Sequence, residues 1–277
     1  MLPYRSVADL KSTWREGLSI LRTEGISSFI KAALREINLN HRGFYYYLNY
    51  VYKRRIDRSY RTAEPFTVVE IDPERIDRVA LGDIDRWRHI GEIRSGDWDL
   101  SDHTLEMLVK YRSVIDRFKN GTPWEETDIY REAFERIENG NTHWNGCRTV
   151  DDLDRRVVHV ENLHETIKKS GFKSQSVLRG RDIKSILLSG SFDRSKTDVT
   201  VAIGRNGEFL FIDGNHRLAI AHVLGLERIP VRIVIRHTAW QDVREEILSA
   251  DSPEELSERA RSHLDHPDVQ EILPVGF

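Results

Sequence analysis

The amino-acid sequence predicts an α+β protein in which a small mixed sheet is flanked by helices. Two apolar strands, predicted over residues 209–212 and 229–235, enclose a helix predicted over residues 215–224. An Asn-Gly pair before the first of these strands is typical of a β-hairpin. Apolar residues at intervals of three and four further predict a helical insertion over 101–140 and an amphipathic helical arm over 1–62.

The composition indicates a folded, water-soluble chain. Hydrophobic residues make up 39% of the sequence and charged residues 31%, which are the proportions of a globular protein. The single cysteine excludes an internal disulfide. The start of the chain lacks the apolar run of a secretory signal, and no stretch approaches the length of a membrane span. We therefore expect a cytoplasmic protein, with peripheral attachment to the inner membrane face as an open alternative.

The predicted arm, residues 1–62, is strongly basic although the whole chain has a net charge of −3. It holds twelve Lys or Arg residues against five Asp or Glu residues. An aromatic run over 43–52 precedes Lys53, Arg54 and Arg55, and aromatic rings beside cations are typical of a bilayer interface. Three interpretations stay open: packing on the protein body or on a second subunit, an anionic membrane surface, or nucleic acid.

Residues 63–277 are predicted to form the main domain. Its predicted elements are a strand over 66–71, a short helix over 73–79, helices over 102–119 and 122–140, a helix from 153 to 167, a hairpin over 198–212, and C-terminal helices over 239–249 and 253–264 within the segment 238–264. The insertion is expected to lie beside the functional site, as a lid or as part of a substrate pocket.

Polar residues cluster where the central strand meets the next helix. Asp213, Asn215, His216 and Arg217 surround Gly214 at this turn. Burying such side chains without partners costs about 1–3 kcal/mol for each neutral group and more for a charge. We therefore expect them to face a cleft. The first N–H groups of the helix and the positive end of its dipole also point to this place, which favours an anion and most often a phosphate.

The same residues carry a family resemblance. Asp213-Gly214-Asn215-His216-Arg217, then Leu224-Gly225-Leu226 and Ile229-Pro230-Val231, resembles the signature of the ParB/sulfiredoxin-like superfamily, here its ParB N-terminal-like domain. The match covers about residues 199–236. Members include ParB partition proteins that bind and hydrolyse CTP, sulfiredoxin, and an ADP-dependent kinase of free serine. The resemblance implies a ParB/sulfiredoxin-like sheet and a nucleotide phosphate held at the turn.

Two departures from the family narrow this expectation. Sulfiredoxin has its catalytic cysteine where this chain has Asn215, and Cys147 lies far away in sequence, so reduction of sulfinic acid is not expected. ParB proteins continue into a DNA-binding helix-turn-helix domain, whereas too few residues follow Ile235 here. DNA is also disfavoured as a partner because the body of the protein is acidic.

Each residue of the turn has a predicted role in phosphate chemistry. The amides after Gly214, together with Asn215 and the guanidinium of Arg217, are expected to hold phosphate oxygens, the guanidinium in bidentate fashion. His216 is expected to donate a hydrogen bond to a bridging or transferred phosphate oxygen. Asp213 is expected to bind Mg²⁺ or to activate an attacking hydroxyl.

Four further residues are candidates from outside the turn. Lys173 and Gln175 lie where the loop that precedes the strands approaches the nucleotide in the family. Glu92 and Asp97 belong to a Gly-containing acidic loop that is predicted to supply a general base or a ligand to Mg²⁺. The resemblance to the serine kinase, in which an early Glu is the base, favours Glu92 as the base and leaves Asp97 as the metal ligand.

The function expected from these residues is that of a nucleotide-binding protein. The leading hypothesis is a Mg²⁺-dependent NTPase or small-molecule phosphotransferase, a kinase, which uses a nucleoside di- or triphosphate and an unidentified small-molecule acceptor. The alternatives are a DNA-binding or nuclease-type ParB-like protein and a non-catalytic nucleotide-sensing module.

Overall fold

The structure is a computed structural model that describes residues 22, 51–56, 64, 67–82, 84, 89–174 and 198–273. Most of the predicted arm, and Gln175 with the segment that follows it, lie outside the described residues. Within the arm, residues 51–56 are helical. Among the described residues, no helix is both long enough and apolar enough to cross a membrane.

The described strands form one mixed six-stranded sheet. They are β1 (Val68–Ile71), β2 (Arg78–Val79), β3 (Glu92–Arg94), β4 (Val199–Ile203), β5 (Phe209–Asp213) and β6 (Ile229–His237). The strand order is β1-β6-β4-β5-β2. β6 pairs antiparallel with β1 along its first half and parallel with β3 along its last residues, so these two strands follow each other along one side of β6. The predicted mixed sheet is therefore confirmed.

The hairpin of β4 and β5 forms the centre of this sheet. The two strands are antiparallel, and β4 also runs parallel to β6, so both edges of β4 are hydrogen-bonded. All five residues of β4 are buried, which explains why its sequence is apolar on both faces. The register places Asp213, at the end of β5, opposite Thr200 near the start of β4.

Seven α-helices have both ends within the described residues. They are α1 (Val109–Lys119), α2 (Asp128–Glu138), α3 (Val150–Ser170), α4 (Asn215–Val223), α5 (Thr238–Ser249), α6 (Glu258–Arg261) and α7 (Pro267–Gln270). α3 begins at a capping box in which Thr149 and Asp152 satisfy each other's backbone amides. Four 3₁₀ turns, at Pro73–Arg75, Leu105–Met107, Trp124–Glu126 and Pro253–Glu255, complete the helical structure.

Several predicted element boundaries were wrong. The helix predicted over 73–79 is a single 3₁₀ turn that leads into β2, and the loop predicted around Glu92 contains β3. The helix predicted over 253–264 is broken because Leu256 is extended and Ser257 caps a new helix by accepting the amide of Ala260. The helices predicted to begin at 102 and 122 begin instead at Val109 and Asp128, after the 3₁₀ turns.

Helix α4 lies in the middle of the core. Its residues Leu218, Ala219, Ile220 and Ala221 are fully buried. α1 and α3 pack against it, and it also contacts β4. Helix α1 of the predicted insertion and α3, which follows the insertion, therefore cover the helix after the candidate turn. Side chains from α1, α3 and the loop before α3 lie near that turn.

Candidate functional site

The turn between β5 and α4 requires a glycine. Gly214 has φ 109° and ψ 28°, a left-handed conformation that L-residues with a side chain rarely adopt. A Cβ atom at this position would lie 2.9 Å from the Cα of Val199. The amide of Gly214 donates to Asp213 Oδ1 at 2.7 Å. The turn thus holds the Asp213 carboxylate beside the first residues of α4.

His216, in the first turn of α4, is held by a tryptophan from the loop between α2 and α3. The indole Nε1 of Trp144 donates to His216 Nε2 at 3.1 Å. Because Nε2 accepts this bond, the ring proton of the neutral imidazole must be on Nδ1. His216 therefore has an N–H donor at Nδ1, which is the protonation that the predicted contact with a phosphate oxygen requires.

Positive charges around His216 keep its imidazole neutral. Burial lowers the pKa of His216, and Lys110, Arg156 and His159 lower it further, to about 3. The histidine is therefore a neutral donor throughout the physiological range. We call Lys110, Arg156, His159 and His216 the basic cluster.

The loop that carries Trp144 has an unusual backbone. Trp144 (φ 38°) and Asn145 (φ 63°) are both left-handed, and they are the non-glycine residues with positive φ among the described residues. Each such conformation costs about 1–3 kcal/mol, and strain of this kind is concentrated at functional sites. The loop places Asn145 Oδ1 3.0 Å from Lys110 Nζ, while Trp144 reaches His216. One strained turn therefore positions two members of the basic cluster.

Lys110 connects the basic cluster to the carboxylate of the turn. Burial lowers the pKa of Lys110, the negative charge of Asp213 opposes this, and Arg156 adds to it. Asp213 and Arg156 thus lie within electrostatic reach of the same ammonium group. Arg156 contributes a buried Nε that has no hydrogen-bond partner within the described ranges.

Arg217 faces a different part of the molecule from His216. Its guanidinium donates to the carbonyl oxygen of Lys173 at 2.6 Å and stacks over the ring of Phe172 at 4.3 Å. The side chain is buried, and burial lowers its pKa while Asp198 opposes the shift. Arg217 therefore joins α4 to the segment after α3. Where a bidentate contact of Arg217 with phosphate was predicted, the structure shows a hydrogen bond from its guanidinium to the backbone carbonyl of Lys173.

Asp97 lies at the opposite end of the sheet from Asp213. Arg205, in the turn between β4 and β5, donates to Asp97 Oδ1 at 2.7 Å and to Asp99 Oδ1 at 2.8 Å. Asp213 is at the other end of β5. The structure does not bring Asp97 and Asp213 together, so the two predicted metal ligands are not neighbours.

Glu92 is also distant from the turn. It pairs with Ile235 on β6, while Asp213 is on β5, with β4 between the two strands. Three strand spacings of about 4.8 Å each therefore separate the two backbones. The charged neighbour of Glu92 is His89, whose Nε2 lies 3.9 Å from Glu92 Oε2. The predicted base is thus not placed beside the candidate site.

The described residues do not form a site for Mg²⁺ that contains both predicted ligands. Among them, no group of three or more His, Cys, Asp or Glu side chains is arranged to hold a metal ion. Asp213 is a single carboxylate at the turn, and Asn215 is a partly exposed neighbour at the first position of α4. The reaction proposed for this site uses side chains and backbone amides of the protein.

Comparisons with protein-family models, with curated proteins and with solved structures find no match to this chain. The resemblance to the ParB/sulfiredoxin-like superfamily therefore stays a prediction. The fold defines the class of the protein at a coarser level, as a mixed α+β protein whose six-stranded sheet is flanked by helices.

Sequence reasoning missed the residues that α1, α3 and the loop before α3 contribute to the site. Lys110 comes from α1, Trp144 and Asn145 from the strained loop, and Arg156 and His159 from α3. A sequence signal does exist for the last pair, because a spacing of three residues puts two side chains on one face of a helix. The contact of Lys110 with the turn depends on how α1 packs against α4, which no local pattern encodes.

Proposed function

We propose that this protein binds the phosphate group of a nucleoside di- or triphosphate at the Asp213–His216 turn and transfers a phosphoryl group to water or to a small-molecule acceptor. The observation that carries this proposal is the concentration of positive charge around a neutral histidine. Lys110 and Arg156 both act on His216, whose pKa they and its burial lower to about 3.

The charges of this region favour an anionic ligand. Lys110 and Arg156 are basic side chains near the turn, and Asp213 is the carboxylate that acts on Lys110. The N-terminus of α4 adds the equivalent of about half a positive charge at the same place. A phosphate oxygen would be met by the backbone amides at the start of α4 and by the Nδ1–H of His216.

Asp213 has the position of a general base in such a reaction. Its carboxylate, fixed by the amide of Gly214, would accept the proton of the attacking water or hydroxyl group. The attacking oxygen forms a bond to the terminal phosphorus as the bond from that phosphorus to the bridging oxygen breaks. The bridging oxygen leaves with the electron pair, and Lys110 would stabilise its negative charge.

The test combines binding with turnover on the full-length chain. Thermal unfolding is recorded with ADP, ATP and CTP, each with and without Mg²⁺, and release or transfer of labelled phosphate is measured in parallel. A ligand at 100 times its dissociation constant adds about 2.7 kcal/mol to the stability of the native state. We expect Asp213→Asn to bind nucleotide and to lose turnover, and the matched variant Asp97→Asn to keep both.

Two results would contradict the proposal in different ways. If no nucleotide stabilises the wild-type protein, the phosphate site itself is refuted. If nucleotides bind without any turnover, the catalytic part is refuted, and the alternative of a nucleotide-sensing module takes its place. Loss of turnover in Asp97→Asn equal to that in Asp213→Asn would restore the predicted role of Asp97.

A further inference from the structure

Helix α3 brings a second set of cations to the site. Arg156 and His159 are three residues apart on α3, so their side chains share one face of the helix. α3 packs against α4, and both side chains act electrostatically on His216. These residues lie on α3, outside both the predicted insertion over 101–140 and the Asp213–Arg217 motif.

Arg156 lies within electrostatic reach of the Lys110 ammonium group and of the neutral His216 imidazole. Its neighbours in the basic cluster are Lys110 and His216, and each of them has its pKa lowered in part by Arg156. The Nε of Arg156 is buried and has no hydrogen-bond partner within the part of the chain that the structure describes. A buried guanidinium N–H without a partner is costly, and a phosphate or carboxylate would supply the missing acceptor.

Arg155 shows that this environment is particular to Arg156. It is the next residue on the same helix, but it is exposed and donates to Asp152 Oδ1 at 2.7 Å. Its charge is therefore matched within the protein and screened by solvent. The two arginines differ in surroundings and not in chemistry, and this makes Arg155 a control for Arg156.

We propose that Arg156 and His159, together with Lys110, bind a second oxyanion next to the phosphate at the turn. The two sites border the same imidazole, that of His216, so the two oxyanions must be adjacent. The ligand class that meets this condition is a diphosphate, as in a nucleoside di- or triphosphate. This inference rests on the proposed function, and it adds that α1 and α3 contribute half of the phosphate-binding site.

The experiment compares inorganic phosphate with pyrophosphate on the full-length protein. Dissociation constants are measured by calorimetry for the wild type, Arg156→Gln, Arg156→Lys and the control Arg155→Gln. We expect the wild type to bind pyrophosphate more tightly than phosphate. Arg156→Gln should weaken pyrophosphate binding by about 10- to 100-fold, the range for loss of a charge-assisted contact, and should change phosphate binding far less.

The remaining variants separate a binding role from a structural one. Arg156→Lys keeps the charge and loses the planar two-donor geometry, so we expect it to fall between the wild type and Arg156→Gln. Arg155→Gln should bind both anions as the wild type does. A circular dichroism melt of each variant establishes that it is folded at the temperature of the titration.

Failure of this inference can be distinguished from failure of the proposed function. If the wild type binds neither phosphate nor pyrophosphate, the proposed site at the turn is refuted, and this inference with it. If phosphate binds at the turn but pyrophosphate binds no more tightly, only the second site is refuted. Equal weakening of pyrophosphate binding by Arg155→Gln and Arg156→Gln would also refute the second site. A general loss of positive charge would then explain the effect.

Discussion

Two groups of buried charge in this protein are arranged in contrasting ways. In the buried ion cluster, formed by Arg236, Arg244 and Asp268, the carboxylate accepts from both arginines and also from Trp240. These charged side chains are almost fully inaccessible to solvent. In the basic cluster near Asp213, Lys110 donates to a neutral amide and the buried Nε of Arg156 has no acceptor among the described residues.

The difference distinguishes charges that stabilise the fold from charges available to a ligand. Asp268 lies on α7, and its partners on β6 and α5 hold that short helix against the sheet. Burial opposes ionisation of Asp268, but Arg236 and Arg244 outweigh it and lower the carboxyl pKa. Arg156, by contrast, has a buried Nε without an acceptor among the described residues. We therefore expect substitutions in the buried ion cluster to reduce stability and substitutions in the basic cluster to reduce phosphate binding.

The largest effect is expected from Asp268→Ala. The substitution leaves two buried guanidinium groups without their carboxylate, and breaking a buried ion pair in this way costs about 3–5 kcal/mol. The free energy of unfolding is measured by urea denaturation. The control is Asp97→Ala, which removes an exposed partner of Arg205 and should cost less than about 1 kcal/mol. Equal losses of unfolding free energy in Asp268→Ala and Asp97→Ala would show that the buried ion cluster has no special role in stability.

His266 makes the stability of the fold depend on pH. His266, two residues from Asp268, accepts the amide of Asp268 at Nδ1, so its Nε2–H donates to Gly207. Burial lowers the pKa of His266 to about 4; Asp268 opposes this shift, and Arg75 and His263 add to it.

Because this pKa lies below that of an unfolded histidine, the unfolded state takes up the proton first. The stabilisation is complete above about pH 6.5 and decreases as the pH falls toward 4, by up to about 3 kcal/mol. The check is urea denaturation between pH 7.5 and 4 on the wild type and on His266→Gln. Identical pH profiles for the two proteins would show that His266 does not cause the loss.

Gly214→Ala tests the geometry of the candidate site. The new Cβ would meet the backbone of Val199 in a left-handed conformation, and we expect a loss of about 2 kcal/mol or more together with weaker phosphate binding. Gly121→Ala is the matched control, because Gly121 also has positive φ but no atom within 4 Å of the added carbon. The measurement is thermal unfolding with and without phosphate. A Gly214→Ala protein as stable as Gly121→Ala would refute the close contact.

The smallest effect on stability is expected from Trp144→Phe. It removes the hydrogen bond to His216 and should cost about 1 kcal/mol, while phosphate binding weakens because the imidazole is no longer held in one tautomer. Trp98→Phe removes an equivalent bond, that from Nε1 to the carbonyl oxygen of Arg94 at 3.2 Å, beside Asp97 and away from the site. Calorimetric titration with phosphate should separate the two variants. If Trp98→Phe weakens binding as much as Trp144→Phe does, Trp144 has no special role in positioning His216.

Local sequence was sufficient to predict the turn but not its surroundings. The hairpin, the glycine at position 214 and the following helix each have a local signal, and all three are confirmed. The directions of His216 and Arg217 could not be derived in this way, because they depend on Trp144 and Phe172 from other elements. Glu92 and Asp97 looked suitable from composition, yet strand register sets their distance from Asp213.

The most direct test compares two buried neutral histidines, one from each region. Nucleotide binding to the full-length protein is measured by calorimetry for the wild type, His216→Gln and His266→Gln, at a temperature where all three are folded. We expect His216→Gln to lose nucleotide binding with little loss of stability. We expect His266→Gln to lose stability and to bind nucleotide as the wild type does. Unchanged binding in His216→Gln, or no binding by the wild type, would contradict these expectations.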